Sequence, residues 1–117
     1  RSILYIPIKY NYNNLLDYIL NNDKESIGIS LLEYYDKNGL YPLHYAILLN
    51  NTKGVQIILK YLNDKSQTNK LGQSYLQYAI QNNKTDILII IFFNIYFPLF
   101  LFKITQNITL YLNLLLL

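Results

Sequence analysis

The sequence contains no cysteine, no methionine and no tryptophan, and His44 is its single histidine. Without cysteine the chain forms no disulfide, offers no thiolate ligand to a metal and has no cysteine nucleophile. A lone histidine also lacks a second histidine with which to bind a metal. Because there is no initiator methionine, we expect a fragment or a processed product. No basic leader followed by an apolar core opens the chain, so the sequence predicts no secretory signal.

Charged residues are also scarce, at 15% of the chain, against about 25% in a typical soluble domain. The net charge is +3, and the lysines are scattered, which favours solubility over nucleic-acid binding. The four glycines are isolated, so no phosphate-binding loop is present. The seven carboxylates show no spacing typical of a metal site or an acid–base pair. We therefore predict no enzymatic activity, no cofactor, no metal and no small-molecule substrate. The carboxylates are Asp17, Asp23, Glu25, Glu33, Asp36, Asp64 and Asp86.

Two segments of the chain, 37–58 and 70–91, come into register without a gap at an offset of 33 (70 − 37). Ten positions are then identical, among them Ala46 and Ala79, the only alanines in the sequence. A fixed period of this size is typical of solenoids built from stacked helix pairs. The other identical pairs are Lys37/Lys70, Gly39/Gly72, Leu43/Leu76, Tyr45/Tyr78, Ile47/Ile80, Asn50/Asn83, Thr52/Thr85, Ile57/Ile90 and Ile58/Ile91.

Each repeated segment begins with a turn and continues with a helical pattern. Gly39 supplies the positive φ that a turn needs, and Pro42 suits the first turn of a helix, where its missing N–H costs no hydrogen bond. The stretch from Gly39 to Ala46, GLYPLHYA, resembles the ankyrin repeat, in which a glycine turn precedes Thr-Pro-Leu-His-x-Ala. Tyr41 departs from that pattern, and the second copy keeps a hydroxyl at Ser74 but lacks the proline and the histidine.

The resemblance implies an all-α, ankyrin-like solenoid of two to three helix–turn–helix repeats with an apolar C-terminal helical tail. It implies that His44 braces neighbouring turns through hydrogen bonds. It further implies binding of another protein, with no nucleic acid, through the finger loops between repeats and the concave face of the first helices. The candidate binding residues are Lys37, Asn38, Leu40, Tyr45, Leu48, Lys70, Gln73, Tyr78 and Gln81.

Tyr45 and Tyr78 follow the histidine position, which in this architecture faces the concave groove. Two interpretations stay open for them. The rings are exposed anchors for a partner, or they pack on the adjacent repeats because tyrosine is abundant here.

We divide the chain into four parts. Residues 1–35 are a divergent first repeat with an insertion, 36–68 an ankyrin-like repeat, 69–93 an incomplete ankyrin-like repeat, and 94–117 an apolar tail. Leu15, Leu16, Ile19 and Leu20 match Ile57, Ile58, Tyr61 and Leu62 at an offset of 42, which predicts about nine inserted residues, held within 21–30. Helices are expected at 42–49, 54–62, 75–82 and 86–93. The expected core is Leu43, Ala46, Ile47, Ile58, Leu59, Leu76, Ala79 and Ile80.

The tail breaks the polar spacing of the repeats, since no charge lies between Asp86 and Lys103. This charge-free run is slightly shorter than the ~17–25 residues of a membrane-spanning helix, and Asn94 and Pro98 also weigh against one. Three interpretations stay open: a degenerate repeat or cap buried on its neighbour, a membrane-associated segment, or translated sequence outside any folded protein. The repeats are expected in the cytoplasm, with membrane attachment through residues 87–117 as the alternative.

Overall fold

A computed structural model describes residues 3–21 and 27–117 of the chain. Within these ranges the backbone is helical and contains no β-strand, apart from a single bridge between Thr68 and Ser74. The predicted all-α class is therefore confirmed, and the four predicted helices agree with the structure within two residues at each end. The helices are α1 (Tyr5–Lys9), α2 (Asn13–Asn21), α3 (Ile27–Ser30), α4 (Pro42–Leu48), α5 (Thr52–Tyr61), α6 (Tyr75–Gln81), α7 (Thr85–Ile91) and α8 (Phe97–Leu115).

Three helix pairs stack into a solenoid. The pairs are α1 with α2, α4 with α5, and α6 with α7, which we call repeats 1, 2 and 3. The first helices pack on one another in the order α1, α4, α6, and the second helices in the order α2, α5, α7. Ala46 and Ala79 are both fully buried. The two alanines therefore occupy equivalent environments, as predicted from the identities between the two segments.

The predicted core is correct for six of its eight residues and wrong for Ile80. Leu43 and Ile47 are at most 1% exposed, because α6 of repeat 3 covers α4. Their counterparts in repeat 3 are Leu76, which is half-buried, and Ile80, which is 56% exposed. No further helix pair covers α6 on that side in the part of the chain that the structure describes. Burial at these positions therefore depends on a following repeat.

Each repeat turns between its two helices at an asparagine with positive φ. These residues are Asn11 (58°), Asn50 (58°) and Asn83 (56°). Asparagine tolerates this left-handed conformation better than most residues, and it closes a helix as glycine does elsewhere. The same backbone hydrogen bond recurs at each bend, from the residue after the asparagine back to the end of the first helix: Tyr12 to Pro7 (2.9 Å), Asn51 to Ala46 (2.9 Å) and Lys84 to Ala79 (3.0 Å).

The asparagines correct the register of repeat 1. Asn50 lies at an offset of 39 from Asn11, and α5 begins at the same offset from the start of α2, so the offset is 39 and not 42. The insertion is thus six residues (39 − 33) and not nine. An apolar helical pattern returns after three or four residues, so pattern matching alone allows a slip of three. Part of the insertion forms α3 and a 3-10 turn (Leu31–Glu33), and part lies in residues 22–26, outside the described residues.

The tail is one continuous helical run from Thr85 to Leu115, 31 residues long. A π-helical stretch (Phe92–Tyr96) joins α7 to α8 immediately before Pro98, where a proline within a continuous helix removes one backbone hydrogen bond and disturbs the preceding turn. The helix is therefore longer than the charge-free run that ends before Lys103, because Lys103 itself lies within α8. No residue from 98 to 117 is buried, so the interpretation of the tail as a cap buried on its neighbour is wrong.

Candidate functional site

Two finger loops, residues 36–40 and 69–73, connect successive repeats and have the same geometry. In the first, the Asp36 carboxylate accepts hydrogen bonds from the backbone N–H groups of Asn38 and Leu40, both at 2.9 Å. In the second, the Asn69 side-chain oxygen accepts from Leu71 (3.0 Å) and Gln73 (2.9 Å). A short side chain with an oxygen at this position stabilises a tight turn, and aspartate and asparagine serve equally. Asp36 therefore bonds its own turn.

The two finger loops are fixed side by side. The backbone N–H of Lys70 donates to the carbonyl of Gly39 at 3.2 Å. Gly39 has φ +80°, and a Cβ at this position would lie 2.6 Å from Cγ of Lys70. Glycine is thus required there for its backbone conformation and for the close approach of the next loop. Lys70 then extends over the ring of Tyr35, with Nζ 5.2 Å from the ring centroid.

His44 braces the second finger from inside the fold. Its Nδ1 accepts the backbone N–H of Tyr41 at 3.3 Å, so Nε2 carries the proton and donates to the carbonyl of Gln73, also at 3.3 Å. The ring is fully buried between Tyr75 and Tyr78, at centroid distances of 4.5 and 5.0 Å. Burial lowers the pKa of His44 to about 4, although the hydrogen bond to Gln73 opposes the shift. His44 is therefore a neutral structural residue at physiological pH, as the sequence predicts.

Three of the candidate binding residues meet at one pocket. Lys37, Leu40 and Tyr45 line a pocket of about 410 Å³ between α1, α4 and residues 31–40. Tyr45 is half-buried and contacts Tyr5 of repeat 1 edge-to-face, at a centroid distance of 5.3 Å. The site therefore spans two repeats, and its size lies within the ~300–1,000 Å³ of typical ligand pockets.

The other candidates do not line this pocket, although the Lys70 ammonium lies beside the ring of Tyr35, which does. Asn38 and Lys70 are exposed on the finger loops, and Leu48 is exposed at the end of α4. Gln73 and Gln81 form a polar cluster on repeat 3, in which Gln73 donates to Gln81 and accepts from the Asn69 amide at 2.7 Å.

Tyr78 is not an exposed anchor. It is only 8% exposed, because its ring packs edge-to-face on His44 of the preceding repeat. Of the two interpretations of this residue, packing on the adjacent repeat is the correct one. Burial also raises the pKa of the Tyr78 hydroxyl.

The sequence prediction missed the tyrosines that complete the pocket, namely Tyr5, Tyr34 and Tyr35. Tyr5 lies in the divergent first repeat, and Tyr34 and Tyr35 follow the insertion, so neither segment has a counterpart in the repeated pattern. The clustering of two adjacent tyrosines immediately before Asp36 was the available signal. Within residues 3–21 and 27–117, no three histidine, cysteine, aspartate or glutamate side chains come together as metal ligands do.

These features define a solenoid of three helix–turn–helix repeats, joined by finger loops and braced by a buried histidine. The profile of a family described as ankyrin repeats, in three copies, matches residues 4–97. The chain belongs to the ankyrin repeat family. An ankyrin repeat protein of Acanthamoeba polyphaga mimivirus is 40% identical over 58 residues, which is 50% of this chain and 8% of that protein. No solved structure matches the chain. Ankyrin repeats generally mediate interaction between proteins and are typically not enzymes.

Proposed function

We propose that this chain binds a partner protein through its finger loops and the concave face of its first helices. The observation that supports this most strongly is the coupling of the two finger loops by the Lys70–Gly39 hydrogen bond and the His44 brace. A surface that is already ordered loses little conformational entropy when a partner binds. The proposed surface comprises Lys37, Asn38, Leu40, Tyr45, Leu48, Lys70, Gln73 and Gln81.

An unbiased selection of random peptides displayed on phage tests this proposal with the full chain in mild detergent. Enriched peptides are then measured against the double variant Lys37→Ala/Asn38→Ala, which alters the first finger loop. The matched control is Lys53→Ala/Gln56→Ala, since both residues lie on α5, the second helix of repeat 2, and outside the finger loops. We expect weaker binding to the finger variant and unchanged binding to the control. Peptides that bind both variants as well as the parent chain would place the interaction elsewhere.

A second function is proposed for the tail, namely attachment of the repeats to a membrane. The Thr85–Leu115 run includes an 18-residue window with mean hydropathy 2.3, of which 11% is buried. The first part of this run, α7, packs in repeat 3, but α8 alone has 19 residues and at 1.5 Å per residue is about 29 Å long, close to the ~30 Å hydrocarbon core of a bilayer. Leu99, Phe100, Leu101 and Phe102 are consecutive and all exposed, so apolar side chains cover a full turn. A partner groove covers one face of a helix, whereas lipid surrounds it, and this favours the bilayer.

Flotation of the full chain with phosphatidylcholine liposomes tests membrane attachment. Leu101→Glu/Ile108→Glu adds two charges to α8, and we expect it to abolish flotation. Leu71→Glu/Ile80→Glu is the matched control, because it places the same charges at exposed apolar positions of repeat 3. The control should float like the parent chain. Undiminished flotation of the α8 variant would refute the anchor.

A further inference from the structure

The pocket beside the first finger loop has an apolar floor and aromatic walls. Leu4 and Ile8 are 0% exposed at its base, and Pro42 is also buried. Tyr5 and Tyr45 form one wall, where their rings meet edge-to-face across repeats 1 and 2. Tyrosine side chains bury a large apolar area with little loss of rotamer entropy, so this lining suits an apolar side chain of a partner.

Two exposed tyrosines that precede the finger loop also line the pocket. Tyr34 and Tyr35 are both more than half exposed and line the pocket together with half-buried Leu40. The pocket is continuous with the finger surface, because Leu40 and Lys37 belong to both. A segment lying along the finger loops would therefore pass directly over the pocket.

One lysine lines the pocket, and two more lie beside tyrosine rings of its lining. Lys37 lines it and is exposed. The Lys70 ammonium lies 5.2 Å from the Tyr35 centroid, and the Lys9 ammonium 5.7 Å from the Tyr5 centroid. Asp36 also lines the pocket and keeps its negative charge, while its carboxylate accepts two backbone N–H groups of its own loop. The three lysines and this one carboxylate together carry a net charge of +2 (3 − 1), so the charge offered to a partner is positive.

We infer that this pocket receives a leucine or phenylalanine side chain from an extended partner segment that carries aspartate or glutamate next to it. The apolar floor takes the anchor, and Lys37, Lys70 and Lys9 attract the flanking carboxylates. The inference rests on the proposed function as an interaction module, and it adds the chemistry of the partner and the position of its anchor. Apolar anchors in desolvated pockets contribute most of the affinity of such contacts, while the exposed charges mainly provide selectivity.

Two capped, fluorescein-labelled peptides test the inference by fluorescence anisotropy with the full chain in mild neutral detergent. Their sequences are Asp-Glu-Leu-Phe-Glu-Asp and Lys-Lys-Leu-Phe-Lys-Lys. We expect the acidic peptide to bind at least about tenfold more tightly, with the difference shrinking as salt is raised. Equal binding of the two peptides would overturn the inference.

Charge-reversal variants locate the site. Lys37→Glu should weaken the acidic peptide by roughly threefold or more, as expected for an exposed ion pair turned into a repulsion. Lys53→Glu changes the net charge equally but lies on α5, outside the pocket, and should have little effect. Tyr45→Ala should weaken both peptides through the anchor. If Lys37→Glu and Lys53→Glu weaken the acidic peptide equally, the binding is general charge attraction, and the pocket is refuted as the binding site.

The phage selection separates this inference from the proposed function. Enriched peptides that require the first finger loop but show no acidic residue beside an apolar anchor would support the interaction module and refute the pocket chemistry. If the selection yields no peptide that depends on the finger loop, and neither labelled peptide binds, both proposals fail.

Discussion

Asn51 should be among the most costly residues to replace, because its side chain connects repeat 2 to repeat 1. The Asn51 amide donates to the carbonyl of Ile8 (3.0 Å) and to the side-chain oxygen of Asn13 (2.9 Å). Its side-chain oxygen accepts the N–H of Gly54 (2.9 Å) and so caps α5. The residue is 2% exposed, so water does not replace these partners. Asn51→Ala should therefore lower the free energy of unfolding by about 3 kcal/mol, at roughly 1 kcal/mol for each hydrogen bond lost.

Lys84 provides the matched control for this measurement. It is the counterpart of Asn51 in repeat 3, at the N-cap of α7, and its side chain makes no capping hydrogen bond. Lys84→Ala should thus change the free energy of unfolding by less than about 0.5 kcal/mol. Urea titrations of both variants, followed by circular dichroism, make the comparison. Equal losses of unfolding free energy for Asn51→Ala and Lys84→Ala would refute the reasoning. The hydrogen bonds of Asn51 would then add no stability beyond that of Lys84, which lacks them.

The neighbouring glycine provides an independent check. A Cβ on Gly54 would lie 2.6 Å from the amide nitrogen of Asn51, so alanine there displaces the side chain that bonds repeat 1. Helix propensity alone predicts that Gly54→Ala stabilises α5 by about 1 kcal/mol. We expect the reverse in the parent chain, and the stabilisation to return when Asn51 is also alanine. Additive effects in this double-mutant cycle would count against the contact.

Three further predictions concern the finger loops, the buried histidine and the helix interface. Gly39→Ala should lower the melting temperature more than Gly72→Ala does, because both glycines have positive φ (80° and 76°) but a Cβ would contact Lys70 only at Gly39; equal shifts would contradict this. His44 has a pKa of about 4 when folded and about 6.5 when unfolded, so the unfolded chain binds more protons between these values. Stability should be full above pH 6.5 and fall by up to about 1.4 kcal/mol per pH unit down to pH 4, and His44→Gln should remove that part of the pH dependence of urea unfolding. Ala46→Leu should lower the free energy of unfolding by roughly 1–3 kcal/mol, because the larger side chain overpacks a site with no exposed area. An unchanged melting temperature would contradict this.

The repeats were predictable from the sequence because their turns and small residues leave little choice. Gly39 and Gly72 are needed for positive φ, and Ala46 and Ala79 for close helix contact. These identities between the two segments therefore follow directly from the backbone geometry. The register of repeat 1 was not predictable in this way. Its helices match the others only through apolar residues, and such a pattern tolerates a slip of nearly one turn.

Exposure was the property that the sequence predicted least well. Ile47 and Ile80 are the same residue in the same position of successive repeats, yet one is buried and the other is 56% exposed. The difference arises from the neighbouring repeat and not from the residue. Tyr45 and Tyr78 each contact an aromatic ring of the preceding repeat, Tyr5 and His44 respectively, yet Tyr45 is half-buried and Tyr78 is buried. Local sequence defines the repeat, but the position of a repeat in the stack decides which of its side chains a partner can reach.

The stacking order also determines how the molecule folds and opens. Helices pack within their own repeat or on the adjacent one, as α1 does on α4 and α4 on α6. Contacts between residues close in sequence require little loop closure, so folding starts within one helix pair and spreads along the stack. Within residues 3–21 and 27–117, repeat 2 has a helix pair packed on both sides, whereas repeats 1 and 3 each have one on a single side. In a chain of these 117 residues alone, opening should therefore begin at repeats 1 and 3, and the buried centre, with Asn51 and His44, should be the last part to exchange its amide protons with solvent.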